Sequence, residues 1–206
     1  MKKRLFIDVL LIGCMVLLMS YNLIGSLYHE VIGVLMAIIV IVHHCLNKYW
    51  VKNLKKTVHF FDNCIVFLLI FTFIGSMISG ILMSRHLFTF RIYLPLFMRM
   101  HMLCTYWGFI LMAIHLGLHF RTLRPFMNRY IADKKLVYIS LIIIVYGIFA
   151  FFKRDILGYL LSRNLFFMLG DHESLFLYLF DYTAIMYSIA CITYLIKGKV
   201  AKMNRP

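Results

Sequence analysis

Acidic residues and prolines are scarce in this chain. Only eight of its 206 residues are aspartate or glutamate, and three are proline. Charged residues of both signs make up 15% of the chain. Hydrophobic residues make up 63%, well above the roughly 45–50% of a soluble domain. This composition excludes an ordinary soluble globular protein.

Several common sequence motifs are missing as well. None of the five cysteines lies in a Cys-x-x-Cys-His sequence, so covalent attachment of a c-type haem is not indicated. No paired spacing suggests a zinc or iron–sulfur site, and no glycine motif for nucleotide binding occurs. Alternating strand patterns are absent, which argues against a β-barrel. The basic residues flank apolar runs instead of forming one stripe, so we expect no nucleic-acid partner.

What the chain does contain is a series of long apolar runs. Each run has the length needed to cross a hydrocarbon core of about 30 Å, and in lipid such a run must be helical to pair its backbone groups. We therefore predict an all-α membrane protein in contact with lipid. The first run lacks a signal-peptidase site of the A-x-A type and is expected to be a retained helix. Six transmembrane helices are predicted, at about residues 5–23, 28–47, 59–83, 98–120, 136–152 and 174–196.

The distribution of basic residues predicts the orientation. Sixteen of the 22 lysines and arginines fall on the side of the two termini, and six fall on the other side. Positively charged loops stay in the cytoplasm, so both termini are expected there, in a bacterial cytoplasmic membrane. On the outer side, the segments 84–97 and 154–173 mix aromatic, aliphatic and basic residues, which is typical of segments that lie in the membrane interface.

Four histidines repeat one spacing on two of these helices. His29 and His43 are fourteen residues apart on the second span. His101 and His115 are fourteen apart on the fourth. Fourteen residues are close to four helical turns and about 21 Å, so each pair shares one face and reaches both sides of the membrane. Because spans two and four run parallel, His29 is level with His101 near the outside, and His43 with His115 near the inside. This layout predicts bis-histidine ligation of two stacked haems b, and therefore two iron sites.

Other residues near this face are second choices or supporting groups. His44 and His119 are alternative ligands, and His119 is otherwise interpreted as a partner of a haem propionate or a quinone. Gly33 and Gly108 are expected to let a macrocycle approach the backbone; Gly75 and Gly80 serve either that purpose or ordinary helix packing. The propionates are expected to meet flanking cations: Arg85, Arg91 and Arg99 outside, and Lys48, Lys52 or Arg121 inside.

Two acidic residues are candidates for a catalytic role. Glu30 follows His29 and is expected to relay a proton or to orient an imidazole. Asp181 lies within the sixth span, where an ionisable residue is a functional candidate by default; the alternative is a hydrogen bond to a neighbouring helix. We predict a four-helix di-haem core over residues 1–125 and two additional transmembrane helices over residues 126–206.

The quoted motifs resemble a known family. His29-Glu30-x-x-Gly33, His43-x3-Asn47, and His101 with His115-x3-His119 look like the flavinylation-associated cytochromes, which are related in layout to ferric-reductase-like transmembrane proteins. The resemblance covers mainly residues 5–120. It implies a membrane cytochrome b that moves electrons between a quinol or cytosolic donor and flavin-bearing extracytoplasmic proteins, with the paired histidines as ligands.

Three functions follow as hypotheses. The first is a di-haem electron conduit with a quinol and an extracytoplasmic flavoprotein as partners. The second is an oxidoreductase that acts directly on superoxide, ferric iron or quinone at the outer face. The third is a haem-free transporter that uses the histidines to bind a cation. The third is disfavoured because the histidines form two distant layers, whereas a cation site needs ligands at one depth.

Overall fold

The computed structural model describes residues 2–48, 60–88, 92, 94–119, 134–164 and 173–203. Regular structure in these ranges is exclusively helical. The helices are α1 (Lys2–Met19), α2 (Tyr21–Ile24), α3 (Ser26–Leu46), α4 (Phe60–Met83), α5 (Pro95–His119), α6 (Lys134–Lys153), α7 (Ile156–Leu160) and α8 (Leu175–Met203).

Five of these helices are long and apolar enough to cross a membrane, namely α3, α4, α5, α6 and α8. They agree with the last five predicted spans, and the chain is a multi-pass membrane protein. The predicted first span corresponds to α1. It is 18 residues long but includes Lys2, Lys3, Arg4 and Asp8, which keeps it out of this set of apolar helices. The prediction of an all-helical membrane protein is thus confirmed with five apolar spans.

The helices pack in two connected groups. α1 packs along α3, with the one-turn α2 and Gly25 between them; Gly25 has φ +81°, which a residue with a side chain rarely adopts. In the second group α5 lies between α4 and α8, and α6 packs on the far side of α8. α1 also contacts α8, and one hydrophobic core extends from Leu11 to Met186. This core therefore contains residues from both segments predicted from the sequence, 1–125 and 126–206.

The backbone of α3 stands apart from those of α4 and α5. In the part of the chain that the structure describes, α3 packs closely only on α1 and α2. Just 6% of its apolar stretch is buried within the protein. Yet α3 and α5 carry the four repeated histidines. A helix pair held this far apart leaves room between the two rows of imidazoles.

Contacts at the helix ends define the two ends of the bundle. Lys197 near the end of α8 bonds Asp62 at the start of α4 and the carbonyl of Leu118 at the end of α5. Asp8 near the start of α1 meets His43 at the end of α3. The start of α1 and the end of α8 therefore share one end. We call this the His43 end, and the opposite one the His29 end.

Candidate functional site

A cavity of about 430 Å³ lies at the His29 end, between α3 on one side and α4 and α5 on the other. His29 and His101 both line it, and their ring centres are 6.0 Å apart with an angle of 70° between the ring planes. The cavity is therefore placed where the spacing of the histidines predicts the outer ligand pair. Its remaining lining is mainly apolar and includes Val34, Met77, Ile81, Met98 and Met102.

The ring of His101 is fixed by neighbours on α4. Its Nδ1 is 3.0 Å from the carbonyl oxygen of Ser76 and 3.3 Å from the hydroxyl of Ser79. A carbonyl can only accept, so Nδ1 carries the hydrogen and Nε2 keeps its lone pair. Gly80 makes room for the ring, because a Cβ there would lie 3.2 Å from Cε1 of His101. This is the tautomer and the outer hydrogen bond that a metal-ligating histidine normally has.

His29 is held less tightly. Its Nδ1 is buried and makes no hydrogen bond of standard geometry within the described residues, although the backbone of Leu18 lies close to the ring. The ring of Tyr21 packs edge-on against it at 5.1 Å. One turn further along α3, Gly33 borders the cavity, and nothing lies within 4 Å of the position of a Cβ. Here the open space expected beside a flat ligand is present.

This geometry fits a haem better than a bare ion. Two imidazoles on opposite sides of one first-row metal, each with a bond of about 2.0 Å, have ring centres about 6 Å apart. A haem would need only two ligands from the protein, and His29 and His101 are the residues that would hold it. Across the described ranges, no group of three or more histidine, cysteine, aspartate or glutamate side chains is arranged to hold a metal ion alone. The open wall at Gly33 also suits an inserted cofactor.

At the His43 end, α1 contributes a carboxylate to the histidine cluster. Oδ1 of Asp8 is 2.9 Å from Nδ1 of His43, and both atoms are buried. Nε2 of His43 is 3.4 Å from the side-chain amide of Asn47. The neighbouring His44 is exposed, and its Nδ1 bonds the carbonyl of Val40 on its own helix. Of the two adjacent histidines, His43 is the one that faces the other helices.

His115 lies at the same end and interacts electrostatically with His43 and Asp8. Its Nδ1 is buried without a hydrogen-bond partner among the described residues. The ring of His119 packs against it, with ring centres 4.6 Å apart. His119 is more exposed and also interacts with the Lys197–Asp62 pair. His119 is therefore a neighbour of the predicted ligand, as its place one turn further along α5 implies.

Glu30 holds the segment that follows α4. Its carboxylate accepts from the hydroxyl of Ser84 at 2.8 Å and from the backbone N–H groups of residues 85, 86 and 87 at 2.7, 3.1 and 2.9 Å. Ser26 and His86 add a further bond of 2.9 Å. Since Ser84, Arg85 and Phe88 line the cavity, Glu30 fastens one of its walls. Four donors occupy the two oxygens, an arrangement that anchors a loop.

Asp181 is fully buried on α8 and bonds residues of α6 and the turn after it. It accepts from the hydroxyl of Tyr146, from Nζ of Lys153 at 2.8 Å and from Nε of Arg154 at 2.8 Å. Arg154 in turn pairs with both oxygens of Glu173 at 2.7 Å. Asp181 is not part of the cavity lining. It corresponds to the second alternative raised from the sequence, a bond to a neighbouring helix.

The structure separates the remaining candidates. Arg85 lines the cavity, whereas Arg99 is exposed on the first turns of α5 and outside the lining. Gly108 is buried and faces Thr72 of α4 at ordinary packing distance, so it serves helix packing. Gly75 likewise admits Cys104 of α5. Several predicted positions lie outside the described residues: Lys52, Arg91 and Arg121.

Sequence reasoning missed three kinds of residue. Asp8 stands among basic residues on a helix that shows no histidine, and only the packing of α1 on α3 reveals its partner. Ser76 and Ser79 are short polar residues on an apolar helix, a signal that is common in helix interiors. Tyr106 lines the cavity, and its hydroxyl is 3.3 Å from that of Tyr182 on α8, a contact between distant segments.

The chain was also compared with known proteins. No family model, curated protein or solved structure matches it.

Proposed function

We propose that this protein is a membrane cytochrome b that carries electrons across the bilayer through two bis-histidine haems. The observation that supports this most directly is the His29–His101 pair. The two rings stand 6.0 Å apart at the wall of a 430 Å³ cavity, and Nδ1 of His101 is occupied by a backbone carbonyl. A histidine whose Nδ1–H is fixed in this way offers Nε2 to a metal.

The protein's own residues perform four tasks at the His29 end. His29 and His101 bind the iron, and Ser76 holds the ring of His101. Apolar side chains from three helices exclude water. Glu30 keeps the segment 84–87 over the cavity. When bound, each haem supplies an iron that takes up and releases one electron.

The second haem site is proposed from the same spacing of histidines. His43 and His115 lie one fourteen-residue interval, or about 21 Å, further along α3 and α5. They interact electrostatically at the His43 end, where the carboxylate of Asp8 contacts the ring of His43. The separation of α3 from α5 supports both proposed haem sites, since a macrocycle between two histidines requires helices that do not touch.

The donor and the acceptor follow from the resemblance to the flavinylation-associated cytochromes. We propose a quinol or another reductant as donor, and an extracytoplasmic flavoprotein or a small oxidant as acceptor. The chain has no nucleotide-binding glycine motif, so it requires a partner to draw electrons from a nicotinamide cofactor. The positive-inside distribution of basic residues supports a cytoplasmic location of the His43 end in a bacterial membrane.

The haem-free transporter finds less support. A site for a metal ion alone needs several ligands at one depth. No such group is assembled by the described residues. The two histidine pairs are instead separated along the helices, which suits two cofactors.

The experiment is a visible spectrum of the purified protein, expressed with sufficient haem. We expect a Soret band and a reduced α-band of low-spin haem b. His101→Ala should remove the haem at the His29 end alone, and His115→Ala the haem at the His43 end alone. His44→Ala and His119→Ala are matched controls, because each changes a histidine one or four positions from a proposed ligand and should retain both haems.

Two outcomes would contradict the proposal. A colourless protein would exclude haem binding altogether. Retention of both haems in His101→Ala and in His115→Ala, with loss in His44→Ala or His119→Ala, would show that the ligand assignment is wrong.

A further inference from the structure

We propose that Asp8 acts through His43 as a positioning residue that lowers the reduction potential of the haem proposed at the His43 end below that of the haem at the His29 end. This inference rests on the proposed function and assigns a role in it to Asp8.

The first step is the contact itself. Oδ1 of Asp8 is 2.9 Å from Nδ1 of His43, a distance typical of a charge-assisted hydrogen bond. Both atoms are buried, although the side chains are 24% (His43) and 43% (Asp8) exposed, and the contact is an ion-pair contact without standard hydrogen-bond geometry. Within the described residues neither atom makes a hydrogen bond to any other group. Asp8 is thus the group available to hold the ring of His43.

The second step is the effect of a carboxylate on a ligating imidazole. A carboxylate that accepts from Nδ1–H fixes the hydrogen there and leaves Nε2 as the ligand. It also raises the basicity of the ligand. A more basic, partly anionic imidazole stabilises ferric over ferrous iron and lowers the reduction potential.

The third step is the contrast with the His29 end. There Nδ1 of His101 faces the uncharged oxygens of Ser76 and Ser79. Glu30, next to His29 in the sequence, interacts with it electrostatically, but its two oxygens accept from four donors of the segment 84–87 and not from a ligand nitrogen. The two ends therefore differ in the charge of the group behind the ligand, and this difference favours ferric iron at the His43 end.

The neighbouring charges at the His43 end do not supply the same effect. Asp62 pairs with Lys197 at 2.8 Å, so its charge is largely balanced. Asp8, in contrast, is in direct contact with a proposed ligand.

The test is a spectroscopic redox titration of the purified two-haem protein, combined with the low-spin ferric electron paramagnetic resonance (EPR) signal of each haem. Asp8→Asn keeps the shape and an acceptor oxygen but removes the charge. We expect it to raise the lower of the two midpoints by about 59 mV, a tenfold change in the oxidised-to-reduced ratio, and to shift the EPR signal of that haem. The upper midpoint should stay in place.

Asp62→Asn is the matched control, because it removes a carboxylate from the same end whose charge is paired with Lys197. It should leave both EPR signals unchanged. If Asp8→Asn loses the haem, Asp8→Glu must restore it with a low midpoint. His101→Ala, which retains only the haem at the His43 end, shows which midpoint belongs to it.

Two haems whose midpoints and EPR signals are unchanged in Asp8→Asn would overturn the inference and leave the proposed function standing. So would a shift confined to the upper midpoint, or a failure of Asp8→Glu to restore a lost haem. A protein without haem would overturn both.

Discussion

The buried carboxylate of Asp181 provides a prediction whose size can be worked out from its contacts. The side chain is 0% exposed and bonds Tyr146, Lys153 and Arg154, which ties α8 to α6 and to the turn before α7. Replacing it in Asp181→Asn keeps the volume but leaves two cations without the charge that they enclose. We expect a loss of stability and no change in haem binding.

The magnitude depends on how exposed the partners are. Removing one member of a buried ion pair costs about 3–5 kcal/mol. Here Lys153 is 31% exposed and can be solvated, and Arg154 keeps its ion pair with Glu173. We therefore expect a loss of about 2–3 kcal/mol in the free energy of unfolding. For a chain of this size that corresponds to a decrease of roughly 4–12 °C in Tm.

The assay is thermal unfolding in detergent, followed by circular dichroism and by the haem absorbance. Asp155→Asn is a suitable control, because Asp155 caps α7 by accepting from the N–H of Gly158 and asparagine caps almost equally well. Its Tm should stay close to that of the parent protein. An unchanged Tm in Asp181→Asn, together with loss of electron transfer to a quinone analogue, would refute the reasoning and give Asp181 a functional role.

Three further predictions concern the cavity and the helix contacts. Gly33→Leu should fill the open wall of the cavity and remove the haem at the His29 end. Gly13→Leu, also at an open position but away from the cavity, should retain two haems in the same absorbance assay. Equal haem content in the two variants would contradict this prediction. Glu30→Gln should cost about 1–3 kcal/mol of local stability, because it removes the charged carboxylate that accepts four hydrogen bonds. The loss should be visible as faster hydrogen exchange of the amides of residues 85–87. Unchanged exchange would argue against an anchoring role. Gly147→Ala should destabilise the protein by about 1–3 kcal/mol, because its Cβ would overlap the hydroxyl of Ser188 and the carbonyl of Ala184. An unchanged Tm would show that α6 and α8 can move apart without loss of stability.

The helices were predictable because the length of an apolar run is dictated by the membrane. The span expected at about 59–83 is α4, Phe60–Met83, and that expected at about 136–152 is α6, Lys134–Lys153. The proximity of His29 and His101 also followed from the sequence, since helical spacing and the parallel course of two spans fix the level of each residue. Their role as ligands stays a prediction.

The supporting residues could not be predicted, because they depend on how each helix is rotated about its axis. The hydropathy of α1 gives no reason for Asp8 to face His43, and that of α4 gives none for Ser76 to face His101. Asp181 illustrates the same point: its place in a span suggested chemistry, and only the positions of Lys153 and Arg154 reveal a bond between helices.

The most direct test of the central claim is the molar ratio of haem to protein in the purified wild-type chain, measured by the pyridine haemochrome absorbance and by amino-acid analysis. The pairing of His29 with His101 and of His43 with His115 predicts two haems b per chain. A ratio of zero would contradict the cytochrome proposal, and a ratio of one would contradict the assignment of a second iron to the His43 end.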